Sequence, residues 1–121
     1  MFLRVVIALQ TLTLFAAPIT AGLLLSAPGG RVLHSASAYA VFTVGLLHLI
    51  TAILAWRPGG GSPKPILYAA GFFAAVLAQI ALGIAHMTTL HVPLGALLFG
   101  LSVLQLGRAW SDRRTRVSAA A

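Results

Sequence analysis

Two stretches of this chain set a histidine in matching surroundings: Leu33-His34-Ser35-Ala36-Ser37-Ala38 and Leu90-His91-Val92-Pro93-Leu94-Gly95. In each, a small residue follows four positions later (Ala38, Gly95) and a phenylalanine eight positions later (Phe42, Phe99). On a helix, positions i, i+4 and i+8 lie close to one face. The pattern is therefore an imidazole, a gap below it and a ring below the gap, and it occurs twice. Two such faces turned toward each other would hold a flat ligand between their histidines.

The elements that must position these residues follow from composition. Of 121 residues, 60% are hydrophobic and 7% charged, whereas a soluble globular chain averages about 25% charged residues. Such a chain cannot cover a water-facing surface and belongs in a membrane. Four apolar runs, at about 5–26, 32–56, 66–87 and 91–107, each approach the roughly 20 residues needed to cross about 30 Å of hydrocarbon. Between them lie a Pro-Gly-Gly turn at 28–30, a Gly- and Pro-rich polar loop at 57–65, and the short link Thr88-Thr89-Leu90. The first run resembles a signal peptide only at Met1-Phe2-Leu3-Arg4; it is long for one, and no small-x-small cleavage site follows, so it is expected to be a retained helix. The expected fold is all-α: one transmembrane domain over 1–108, built as an up-down-up-down four-helix bundle, then a basic tail over 109–121 expected to be disordered.

The formal net charge is +7. The cations sit at the ends of apolar runs and form no stripe of the kind that binds nucleic acid. Arg4, Arg57, Lys64, Arg108, Arg113, Arg114 and Arg116 fall on one side of an even-numbered bundle, and Arg31 falls on the other. The positive-inside rule then places both termini and the Gly-rich loop in the cytoplasm. Abundant Ala, Gly, Leu and Arg suit a bacterial gene, and the expected location is the bacterial plasma membrane. The absence of cysteine excludes disulfides and thiolate sites.

Depth along the helices relates the remaining polar residues. His34 and His91 begin helices 2 and 4 at the outer boundary, on diagonal members of the expected bundle. Gly22 on helix 1 and Gly83 on helix 3 lie about one turn below that boundary. Helices 2 and 4 thus offer imidazoles, and helices 1 and 3 offer missing side chains at the same height. A porphyrin needs that combination, and imidazole is a common axial ligand of haem iron. The expected cofactor is one haem b held by His34 and His91, with Gly22, Gly83, Ala38 and Gly95 making room. His48 lies fourteen residues past His34, about 21 Å deeper, but Gln105 stands where a second axial histidine would be needed. Gln10, His48 and Gln105 are therefore expected to form an interhelical hydrogen-bond cluster. Gln79, below His86 on helix 3, could hydrogen-bond across the bundle or approach a bound ligand, and packing is the role expected of it. Arg31 is either a propionate partner or a solvated loop cation.

Two rival readings use the same residues. His34, His86 and His91, with Met87, could gather at the outer boundary as a copper or zinc site, since imidazole suits both metals and a thioether favours Cu(I). Alternatively, the histidines are hydrogen-bonded and the chain is a cofactor-free structural or accessory subunit. The membrane runs contain no acid for a proton relay, and no nucleophile–base–acid set for hydrolysis is present.

These residues resemble one four-helix half of the haem A synthase family. That half carries a helix with Gln and then Gly, a histidine on its second helix, a Gln-x-x-x-Gly helix, and a histidine on its fourth. The counterparts here are Gln10 with Gly22, His34, Gln79-Ile80-Ala81-Leu82-Gly83, and His91. The resemblance spans nearly all of the apolar part of the chain. It implies a haem-binding four-helix bundle with His34 and His91 as axial ligands. Most members have two such halves, and their oxidation chemistry is associated with an outer acidic residue near the first histidine. The one acid here is Asp112, in the tail, so what carries over is the scaffold and the haem, not the synthase reaction. The expected role is electron transfer or haem handling. The expected partners are the lipid bilayer and either a second copy or a larger respiratory or haem-handling complex.

Overall fold

The computed structural model describes the backbone of residues 1–119 and side chains through Ser111. Asp112, Arg113, Arg114 and Arg116 are therefore outside the described side chains, and Ala120 and Ala121 are outside altogether. The chain forms four helices: α1 (Phe2–Ser26), α2 (Gly30–Trp56), α3 (Lys64–Ile84) and α4 (Thr88–Ala119). All four are long and apolar enough to cross a membrane. The surface is that of a multi-pass membrane protein: large apolar side chains such as Leu25, Leu67 and Ile84 are exposed, while Gln10, His48 and Ser102 are buried. In water this distribution would be inverted; in lipid the exposed apolar face is the solvated one.

Each helix packs on two neighbours. The touching pairs are α1·α2, α2·α3, α3·α4 and α1·α4, and the diagonal pairs make no backbone approach. Register follows from side chains that meet. Thr20 meets His34 and Gln10 meets His48 across α1·α2. Thr11 meets Ser102 and Gln10 meets Gln105 across α1·α4. Numbers fall on one helix as they rise on the next, so these neighbours run in opposite senses, as the short connections require.

The core is a layer of Leu14, Val41, Phe72, Val76 and Leu98, one or two from each helix. Ala75, Ile80, Leu94 and Phe99 pack against it. It lies midway between the level of His34 and His91 and that of Gln10, His48 and Gln105, since Val41 and Leu98 each follow their histidine by seven positions.

Two helix ends differ from the sequence-based expectation. The third run was expected to extend to Met87, but α3 stops at Ile84. His86 adopts φ +55°, its N–H bonds to the Gly83 carbonyl, and the Met87 N–H bonds to the Leu82 carbonyl. This pair of bonds is a Schellman motif with His86 at its left-handed position. Helix α4 then begins at Thr88, placing His91 in its first turn, and it continues past Gly107 as helix to Ala119. The Gly-rich loop is also more ordered than its composition suggests. The N–H groups of Arg57, Gly59, Gly61 and Gly60 bond to the carbonyls of Ile53, Leu54, Ala55 and Trp56. These are the last four carbonyls of α2, which have no partner within the helix. A Cβ on Gly59 or Gly61 would come within 2.6 or 2.7 Å of the Ala55 carbonyl oxygen, so the wrap needs glycine there.

Candidate functional site

His34 and His91 meet in the bundle interior. Their ring centroids are 6.2 Å apart and their planes are inclined at 79°. Both rings are half-buried. The helices that carry them are diagonal, so the side chains alone close the gap.

The surroundings of each ring fix which nitrogen carries the proton. His91 Nδ1 lies 2.8 Å from the backbone carbonyl oxygen of Gln79. A carbonyl only accepts, so Nδ1 donates and the neutral ring keeps its lone pair on Nε2. For His34 the same result follows by counting hydroxyl protons. Nδ1 lies 3.2 Å from Thr20 Oγ1. Thr20 Oγ1 also lies 2.9 Å from the Ala17 carbonyl oxygen and 2.9 Å from Ser37 Oγ, and Ser37 Oγ lies 2.7 Å from the His34 carbonyl oxygen. Each hydroxyl has one proton, and the arrangement that gives these two to the Ala17 and His34 carbonyls leaves neither for the imidazole. In that arrangement His34 Nδ1 is the donor to Thr20 and its lone pair is on Nε2. An imidazole anchored through Nδ1–H, with its lone pair on Nε2, is the form in which histidine binds a metal.

The glycines act differently from the sequence-based expectation. A Cβ on Gly83 would lie 2.9 Å from Cε1 and 3.1 Å from Nδ1 of His91. Gly83 therefore makes room for the His91 ring, not for the edge of a ligand. A Cβ on Gly95 would lie 2.8 Å from Nε2 of Gln79, so the gap expected below His91 is filled by the Gln79 amide. Gly22 is exposed, and a Cβ there would meet no atom within 4 Å. Ala38 is half-buried one turn below His34. The expected rings beneath the gaps pair between neighbouring helices instead. Phe99 packs on Phe15 of α1 at 5.8 Å, and Phe42 packs on Phe73 of α3 at 5.5 Å.

Gln79 is more closely tied to the site than packing alone requires. Its carbonyl anchors His91 Nδ1, and its side-chain Nε2 lies 3.4 Å from His91 Nε2. Its Oε1 is buried with no hydrogen-bond partner.

The three-histidine metal site does not assemble. His86 is exposed and is used for its backbone at the end of α3. Among the described residues, no three His, Cys, Asp or Glu side chains come together to hold an ion.

The inner polar cluster forms as expected. His48 Nδ1 lies 2.8 Å from Gln10 Oε1, and Gln10 Nε2 donates to Gln105 Oε1 at 3.2 Å. Thr11 Oγ1 and Ser102 Oγ, 2.6 Å apart, extend the polar contact between α1 and α4. Three helices are joined through one buried glutamine. Interhelical bonds of this kind contribute about 0.6 kcal/mol each on average in membrane bundles.

Sequence reasoning missed Thr20, Ser37 and the carbonyl of Gln79. Hydroxyl residues are common in membrane helices, where they bond to their own backbone, so Thr20 carries no signal by type. Its only pointer is height: with α1 and α2 antiparallel and joined by a short turn, Thr20 must fall near the start of α2.

The fold and the outer site together define a class: an all-helical protein with four membrane-span-like helices and a pair of anchored imidazoles inside the bundle. Beyond that class, no family model, curated protein or solved structure matches the chain.

Proposed function

We propose that this protein is a small integral membrane cytochrome-like protein that binds one haem b between His34 and His91, for electron transfer or haem handling. The observation that carries this reading is the pairing of the two imidazoles. Rings from diagonal helices lie 6.2 Å apart, and each Nδ1 is within hydrogen-bond distance of a helix-borne oxygen. Two metal–imidazole bonds of about 2 Å on opposite sides of one atom separate the ring centroids by about 6 Å, which agrees with the 6.2 Å found. The donor set also fits: neutral nitrogen ligands with no competing acid suit haem iron. Gly83 and Gly95 do not add to the support, because protein groups fill their notches.

In this reading Thr20 and the Gln79 carbonyl orient the two ligands. Haem, when bound, would supply one-electron chemistry. The half-buried setting of the pair leaves it partly open at one end of the bundle. The positive-inside pattern supports an outer location for this end in a bacterial plasma membrane, with both termini inside. A haem near one face favours an electron partner or haem acceptor on that face, as in a homodimer or a larger respiratory or haem-handling complex.

The test is an optical spectrum of the purified protein, oxidised and reduced. A sharp reduced α-band that disappears in His34→Ala and in His91→Ala is expected. A folded, colourless protein from haem-replete cells would overturn the reading, and copper or zinc bound in its place would redirect it to a two-coordinate metal site.

A further inference from the structure

The Nε2 lone pair of His91 is not idle. The Gln79 carbonyl holds the ring proton on Nδ1, and the Gln79 side-chain amide nitrogen stands 3.4 Å from Nε2 as a donor. One nitrogen has one in-plane lone pair, and it serves either a proton donor or a metal, not both. The amide is seated by the shape of the neighbouring helix, because Gly95 leaves the notch that a Cβ, 2.8 Å from the amide nitrogen, would close. The seat has a cost: with Nε2 turned to His91, Oε1 is buried without a partner, and an unsatisfied buried acceptor is unfavourable. Leu94 and Ile80, next to these residues in sequence, pack on the apolar core and offer the amide no alternative partner.

We infer that Gln79 is a removable cover on His91, so that loading the site is an exchange in which a metal takes the lone pair that the amide gives up. The inference rests on the proposed bis-histidine site and adds to it a residue that controls entry. Gln79 is a positioning residue through its carbonyl and a competitor through its amide. The two roles are separable, because substitution of the side chain leaves the carbonyl in place. Among the described residues no donor stands at the Nε2 of His34, whose Nδ1 is beside Thr20, so His34 is the open ligand that a metal meets first.

The experiment uses the full chain, purified without haem in detergent and titrated with haem b in a stopped-flow spectrometer. Gln79→Leu removes the donor, and Gly95→Ala pushes the amide from its seat by a different route. Losing one neutral hydrogen bond of about 0.5–1.5 kcal/mol predicts association about 2- to 10-fold faster in both variants, with dissociation unchanged. A purely structural role for Gln79 would lower thermal stability without speeding association. If wild type loads and both variants load at the same rate or more slowly, the cover is overturned while the haem site stands. If neither wild type nor the variants load, the haem site itself is overturned, and the cover with it.

Discussion

Gly83 lies so close beneath His91 that a Cβ added there would sit 2.9 Å from the ring's Cε1. Contacts that short force a shift, and the ring cannot retreat without stretching its 2.8 Å bond to the Gln79 carbonyl. Gly83→Ala is therefore expected to weaken haem binding about 10- to 100-fold, the range seen when a ligand's supporting contact is lost. Overpacking of this size costs about 1–3 kcal/mol, partly offset by a gain of about 1 kcal/mol in helix propensity. The haem-to-protein ratio and a melting curve on the same sample separate the two effects.

Thr20 is expected to matter for the hydroxyl and not for its bulk. Thr20→Val removes the acceptor for His34 Nδ1 while conserving shape, and should lower haem affinity about 10-fold or more. Thr20→Ser should retain near-wild-type affinity. Equal affinities for the two variants would show that His34 needs no anchor on α1.

The inner cluster should behave in the opposite way. His48→Ala leaves Gln10 Oε1 buried without its 2.8 Å partner, which is expected to cost about 1–3 kcal/mol of stability. The haem spectrum should not move. A change in the α-band of His48→Ala would assign His48 to the cofactor and contradict the separation of the two levels.

His86 offers a test in which stability should rise. It occupies a left-handed position at φ +55°, where a Cβ is unfavourable by about 1 kcal/mol. His86→Gly should stabilise the protein by up to that amount, and His86→Ala should not. Both should bind haem as wild type does, since His86 is exposed and outside the pair.

The chain has no cysteine, so single cysteines report sidedness cleanly. Ser26 and Ser62 are both exposed near opposite ends of α2. In intact cells an impermeant thiol reagent should label Ser26→Cys, and Ser62→Cys only after the membrane is opened. The reverse pattern would invert the proposed orientation.

The helices were legible because apolar runs of this length have one use, and the breaks between them are strong in Pro, Gly and charge. The inner cluster was legible because Gln10, His48 and Gln105 are rare polar residues at one computed depth. The outer pair was legible as two histidines, but not in its detail. The sequence reading placed gaps at Gly83 and Gly95, and those gaps exist, yet they are filled by His91 and Gln79. Spacing along one helix shows where a side chain is missing and is silent on which neighbour enters the space. The third run was read through Met87 because nothing in its residue types marks a stop at 84; glycine in place of His86 would have marked it. The wrap of residues 57–61 onto α2 was equally hidden, since a polar Gly-rich stretch reads the same whether it caps a helix or hangs free.

The apolar layer of Leu14, Val41, Phe72, Val76 and Leu98 has a consequence for charge. Val76 and Leu98 are fully buried, and no polar side chain in the layer could carry a file of water between the two levels. Among the described residues, no side-chain hydrogen bond links the His34–His91 pair to His48. The two polar levels are thus separate compartments within one bundle, divided by a layer that offers a proton no partner.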